Sequence, residues 1–196
     1  MEDCSKVGRD RGAIVGTLAL AAAKREINAQ ARGYERELDL KGKTMGETRM
    51  RILLPIDGSE FSDAAVQTVA STIRPEGTRV AIFSIVEPLE YLNPPQMDVG
   101  YAPELNQIRK ERKEQARIYV TTAAQRLQSA GFDVDTSVVE DEIRGAILDF
   151  AKDWKADLIV VGSHGRRGLT RFMLGSVAES IARHAHCSVW IVRKSS

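Results

Sequence analysis

The sequence predicts an α/β fold, a doubly wound, five-stranded parallel sheet with helices on both faces. Three observations predict it. From residue 50 onward, short apolar runs alternate with segments of helical periodicity. The runs at Ile52–Ile56, Val80–Val86 and Leu158–Val161 carry no regular polar alternation, as expected of strands buried on both faces. Each of these runs ends within two residues on aspartate, glycine or proline. Strands alternating with helices assemble into a parallel sheet through right-handed crossovers. The predicted strand order is 3-2-1-4-5, which places a ligand at the carboxyl ends of the central strands, where the order reverses.

Residues 1–49 hold no strand-like run, and Gly33, Gly42 and Gly46 punctuate a charged stretch. A helix over 13–31 followed by linker is expected, so 1–49 is set apart as an N-terminal extension from a domain spanning 50–196. Arg9 and Arg11 ahead of the apolar stretch Ala13–Ala23 look superficially like a signal peptide. Glu2, Asp3 and Asp10 nearly neutralise that start, and the apolar stretch is weak and alanine-rich. An alanine-rich helix or a disordered arm is the plainer reading; another is a true start at Met45 or Met50.

The first strand, Ile52–Ile56, runs into Asp57-Gly58-Ser59. Phe61, Ala65, Val69 and Ile73 then recur every four residues along one helix face, which Pro75 and Gly77 end. Val80–Val86 is the second strand. Residues 87–103 hold Pro88, Pro94, Pro95, Gly100 and Pro103 and read as a long loop, a length usual for functional segments. A charged helix over 104–130 stops at Gly131. Its apolar side, Leu105, Ile108, Tyr119, Ala123 and Leu127, is thin enough to place it at the surface. Residues 132–139 alternate and predict an edge strand. Ile143, Ile147, Ala151 and Trp154 mark a third helix, 158–161 a fourth strand, 176–185 a fourth helix, and 189–192 the last strand.

Bulk properties exclude several functions. A formal net charge of +1 supplies no basic field for nucleic acid. The longest apolar run is far short of a membrane span. Cys4 and Cys187 form no disulfide framework, which fits a reducing, cytoplasmic setting.

The chemistry concentrates after the fourth strand. Gly162, Gly165 and the pair Gly175-Ser176 enclose a loop carrying Arg166, Arg167 and Arg171. Glycines let backbone approach a phosphate, and a helix N-terminus offers unpaired N–H groups and positive dipole. Neither a G-x4-G-K-[ST] loop nor a G-x-G-x-x-G turn is present. The first strand instead delivers Asp57, whose carboxylate can accept hydrogen bonds from ribose hydroxyls or an amine. The loop arginines suit neutralisation of a triphosphate, although a solvated basic surface is the bland alternative. Ser176 to Glu179 also reads as a capping box, with serine at the N-cap and glutamate reaching back. Asp57 competes with Ser59 for the start of the first helix. His184, His186 and Cys187 lack the second ligand pair of a structural zinc site.

The spacing G-x2-G-x9-G-[ST], spelled by Gly162, Gly165, Gly175 and Ser176, resembles the ATP-binding signature of universal stress proteins. LLPIDGSEFSDAAV at the first strand and AHCSVWIVR at the end are similar to that family's termini. The resemblance covers 50–196 and implies a Rossmann-like, adenine-nucleotide alpha-hydrolase-like domain. It implies that Pro55, Ile56 and Asp57 hold the adenine and ribose side, and that Ile85 packs against adenine. It further implies that Val161, Gly162, His164 and Gly165 cradle ribose and phosphates, and that Gly175, Ser176 and Val177 bind phosphates. The same resemblance implies ATP, whose phosphates Mg²⁺ is expected to accompany. Strand 189–192 would leave an exposed apolar edge unless paired, so a homodimer through it is expected, as the resemblance also implies. Asp141 and Ile143 depart from the glycine and proline usual before the third helix, and Ala178 stands where some members carry a hydroxyl.

No serine, histidine and acid converge in these motifs, so no dedicated catalytic centre is expected. The reading is an ATP-binding, nucleotide-responsive regulatory or protective module. The alternatives are a protein-interaction module with a weak or vestigial nucleotide site, and a slow ATPase.

Overall fold

The computed structural model describes residues 50–88, 102–166 and 174–194. The predicted 13–31 helix, its linker and most of the long loop lie outside the described residues. The element order is β1 (Met50–Pro55), α1 (Glu60–Thr72), β2 (Thr78–Val86), α2 (Ala102–Ser129), β3 (Asp133–Glu140), α3 (Ile143–Asp153), β4 (Leu158–Gly162), α4 (Ser176–His184) and β5 (Ser188–Val192).

The strands form one five-stranded sheet in the order β3-β2-β1-β4-β5. Every ladder is parallel, from Met50 opposite Thr78 in the centre to Gly162 opposite Val192 at the far edge. This is the predicted architecture, with β3 at an edge and β1, β2 and β4 buried. From β1 the chain moves to one side for β2 and β3, then returns to the other side for β4. The reversal opens a crevice at the carboxyl ends of β1 and β4.

Alternation along each strand divides the core into two layers. Ile52, Leu54, Val80, Ile82 and Val160 face α1 and α2, meeting Val66, Val69, Val120 and Leu127. Leu53, Ala81, Phe83, Ile159 and Val161 face α3 and α4, meeting Ile147, Phe150, Trp154 and Ile181. Phe83 and Phe150 stack there with centroids 4.6 Å apart.

The α2 stripe keeps the predicted Ala123 and Leu127, with Tyr119 packed against the core, and differs in the rest. Ile108 is exposed, whereas Ala116, Val120, Ala123, Ala124 and Leu127 are buried. Alanine is weakly hydrophobic, so the periodicity of this stripe is faint in the sequence. Its small side chains nonetheless let the helix lie close to the sheet.

Candidate functional site

A cleft of about 450 Å³ opens at the carboxyl ends of β1, β2 and β4. Pro55, Ile56 and Asp57 line it from β1 and its turn, and Ile85 from β2. Val161, Gly162, His164, Gly165 and Arg166 line it from β4 and its loop, and Gly175, Ser176 and Val177 from the start of α4. Apart from Arg167 and Arg171, the residues singled out from the sequence as nucleotide contacts are brought to this one cleft. Arg167 and Arg171 lie outside the described residues.

Asp57 ties the two loops of the site together. Its Oδ1 accepts from the main-chain N–H of Ser59 at 2.9 Å, and Oδ2 accepts from that of Arg166 at 3.0 Å. Arg166 Nε donates to the Asp57 carbonyl oxygen. The carboxylate therefore does not cap α1. That role belongs to Ser59, whose Oγ accepts from Ser62 N–H at 3.2 Å.

Three glycines set the closeness of the loops. A Cβ on Gly162 would stand 2.7 Å from the main chain of Phe61, and one on Gly165 would stand 2.9 Å from Asp57 Oδ2. At Gly175 it would meet His164 Cα and the Ser163 carbonyl at 3.1 Å, the same carbonyl that accepts from Gly175 N–H at 2.8 Å.

The start of α4 corrects the capping-box expectation. The N-cap is Gly175, with no side-chain cap, and Ser176 is already the first helical residue. Glu179 accepts instead from Arg183, one turn on, at 2.9 Å, so its charge is engaged along the helix surface. The N–H groups of Ser176, Val177 and Ala178 have no intrahelical partner, and these three residues face the cleft. Ala178 is buried and supplies no hydroxyl.

His164 is half-buried, its ring against Phe61 with centroids 4.9 Å apart. Its Nδ1 lies 3.1 Å from Ser163 Oγ, while Nε2 is buried without a hydrogen-bond partner among the described residues. A buried polar atom without a partner is one of the rare groups that call for an explanation. Ser163 is buried and does not line the cleft, so this pair holds the loop rather than presenting a nucleophile.

The far wall was missed by sequence reasoning. Glu142, Ile143 and Arg144 line it from α3, and Arg112 and Ala116 from α2. Arg112 and Ala116 are four apart on one helix face, which was a usable signal without a motif to prompt it. Glu142, adjacent to the departures at Asp141 and Ile143, is the N-cap of α3. It accepts from Arg144 and Gly145 N–H at 3.1 and 2.7 Å. Burial pushes its carboxyl up, but those two backbone bonds, together with the Arg144 guanidinium, hold it below the ordinary glutamate value. Asp141 also accepts from Glu142 N–H at 2.7 Å.

The tempting histidine–cysteine cluster resolves into separate roles. His184 Nδ1 meets the Ser180 carbonyl at 2.8 Å at the end of α4. Burial, and then Asp157, push the Cys187 thiol up, away from reactivity.

Chemically, the cleft offers main-chain donors, a helix N-terminus and the Arg166 guanidinium from β4 and α4, with apolar Ile56, Ile85 and Ile143 beside the charged Glu87, Arg112, Glu142 and Arg144 elsewhere in its lining. That is a site for an anion carrying a flat apolar group.

Comparison with known proteins agrees with this reading of the fold. The model of the universal stress protein family matches residues 48–193. A universal stress protein of Methanocaldococcus jannaschii is 31% identical over 144 residues, covering 74% of this chain and 82% of its own length. The solved structure of the universal stress protein UspA from Lactobacillus plantarum superposes with TM-score 0.65 at 21% identity, covering 76% of this chain and 100% of that one. A universal stress protein crystallised in complex with cAMP superposes with TM-score 0.53 at 25% identity, covering 76% and 99%.

Proposed function

This chain belongs to the universal stress protein family, and from that premise we propose that it binds ATP and acts as a nucleotide-responsive regulatory or protective module. The observation that carries the reading is the uncapped N-terminus of α4 facing the cleft, with Gly175 packed where no Cβ fits comfortably. Phosphates take the free N–H groups of Ser176 and Val177, along with His164 and the Gly165 backbone. Adenine lies against Ile56 and Ile85. Asp57 accepts from ribose hydroxyls through the lone pairs its two backbone donors leave over. That a universal stress protein of similar fold was crystallised with cAMP supports an adenine nucleotide as the ligand.

Mg²⁺ accompanies the phosphates in this reading. Of the carboxylates lining the cleft, Asp57 and Glu142 already accept from backbone N–H groups, which leaves Glu87. The ion is held mainly by phosphate oxygens and water, neutralising charge that Arg166 leaves uncompensated.

We extend the proposal to assembly and location. Among the described residues β5 ladders only with β4, and in this proposal a second copy covers its other edge. Among the described residues no helix is long and apolar enough to cross a membrane. The cytoplasmic placement rests separately on cysteine usage.

Thermal denaturation with and without nucleotide tests the central reading. Millimolar ATP is expected to stabilise the protein, by about 2.7 kcal/mol at a hundredfold excess over Kd. Gly165→Val, whose side chain would collide with Asp57, should abolish the shift. No shift in the wild-type protein at millimolar ATP would sink the proposal. Phosphate release that disappears in Gly165→Val would favour the slow ATPase instead.

A further inference from the structure

We propose that Tyr119 of α2 is a positioning residue for the anion loop. It holds the Arg166 guanidinium at the phosphate end of the cleft and so makes the site favour polyphosphate over monophosphate nucleotides. The proposal rests on the nucleotide reading above and adds what sets its phosphate-chain preference.

The Arg166 guanidinium carbon lies 5.2 Å from the centroid of the Tyr119 ring. On the other side, Arg166 Nε donates to the Asp57 carbonyl, and Arg166 N–H donates to Asp57 Oδ2 at 3.0 Å. Backbone, Nε and guanidinium face are all engaged. The two terminal amino groups of Arg166 have no hydrogen-bond partner among the described residues, and the residue lines the cleft. An exposed arginine normally loses much rotamer freedom when it meets a phosphate. Here that freedom is restricted before any ligand arrives, so less is lost on binding.

Tyr119 is itself fixed. Gly58 has φ +77°, and a Cβ built there would stand 2.3 Å from the ring's Cε2. The ring therefore lies directly on bare backbone of the β1–α1 turn. One aromatic side chain from α2 thus spans the turn that carries Asp57 and the loop that carries Arg166. Gly162 and Ala178 are buried in the cleft wall, whereas Arg166 stands exposed at its rim. In this reading the first phosphate takes the buried start of α4 and the glycines, and the exposed guanidinium is left for a longer phosphate chain. A monophosphate depends on α4 and the glycines, whereas a triphosphate also uses Arg166.

The contact depends on the ring quadrupole, so an aromatic replacement preserves it and an aliphatic one of similar bulk does not. Titration calorimetry of ATP and AMP against wild type, Tyr119→Phe, Tyr119→Leu and Arg166→Ala separates these terms. Tyr119→Leu is expected to weaken ATP by about five- to tenfold and AMP by less than about twofold, the scale of a lost cation–π contact. Tyr119→Phe should stay near wild type for both. Tyr119→Leu added to Arg166→Ala should change nothing further, because Tyr119 acts through Arg166. Tyr119→Met offers a second non-aromatic variant if leucine compromises folding. Equal weakening of ATP and AMP, identical behaviour of Phe and Leu, or additivity with Arg166→Ala would overturn the proposal. If the wild-type protein takes up neither nucleotide, the nucleotide reading itself falls and this inference with it.

Discussion

Glu142 and Asp57 are both carboxylates at the cleft, and both act mainly on backbone. Glu142 closes the first turn of α3 through Gly145 and Arg144 N–H, which holds its ionised form below the ordinary range despite burial. A carboxyl whose folded-state pKa is depressed contributes stability above its unfolded pKa, about 4.3 for glutamate. That contribution is lost as pH falls through the folded value. Glu142→Gln should therefore be less stable than wild type at pH 7, with the gap narrowing steadily below about pH 4. Urea midpoints at the two pH values check this, and a gap independent of pH would refute the role. The sequence revealed little of it, because Glu142 belongs to no motif and earns its role only through the φ and ψ that place it before α3. Asp57 was legible as a site residue from its position after a buried strand. Its bond to Arg166 N–H was not, since 109 residues separate the two.

Helix starts are where sequence pattern and structure part at the scale of elements. Ser59 caps α1 as its position after Asp57-Gly58 indicates. Ser176, with glutamate three residues on, has an equally good capping pattern, yet α4 begins one residue earlier than the pattern requires. The cause is tertiary: the Ser163 carbonyl binds Gly175 N–H, and a Cβ there would stand a tight 3.1 Å from the His164 backbone. Ser59→Ala should then cost about 1 kcal/mol of stability, whereas Ser176→Ala should cost less than about 0.5 kcal/mol. Denaturant unfolding of the two variants compares them directly. A loss at Ser176 as large as that at Ser59 would restore the capping box. In the absence of ligand, an uncapped helix end is a small local cost. In the proposed site, a phosphate takes the place of the missing cap.

At the scale of the molecule, the edge of β5 away from β4 carries the assembly proposal. Ser188 N–H bonds toward Asp157, and the Val192 carbonyl accepts from Ser163 N–H, so both face β4. By the alternation of a ladder, the main-chain groups of Val189 and Ile191 face outward. Val189→Pro removes an outward donor while sparing the inward ladder. It should convert the proposed dimer to a monomer in light scattering with its circular dichroism retained. A monomeric wild-type protein, or a variant that remains dimeric, would discard β5 as the interface. The sequence by itself determined the α/β class and the edge position of β3, and the expected strand order is the one observed. It also indicated the cleft residues after β1, β2 and β4 and at the start of α4, but not the wall from α2 and α3. These follow from local hydrophobic pattern, the handedness of crossovers and the glycines that must end strands. Only the tertiary structure decided which helix face α2 buries, that Gly175 rather than Ser176 begins α4, and that Tyr119 supports Arg166. Each depends on the close approach of distant backbone segments, and no short window of sequence records the space those segments leave.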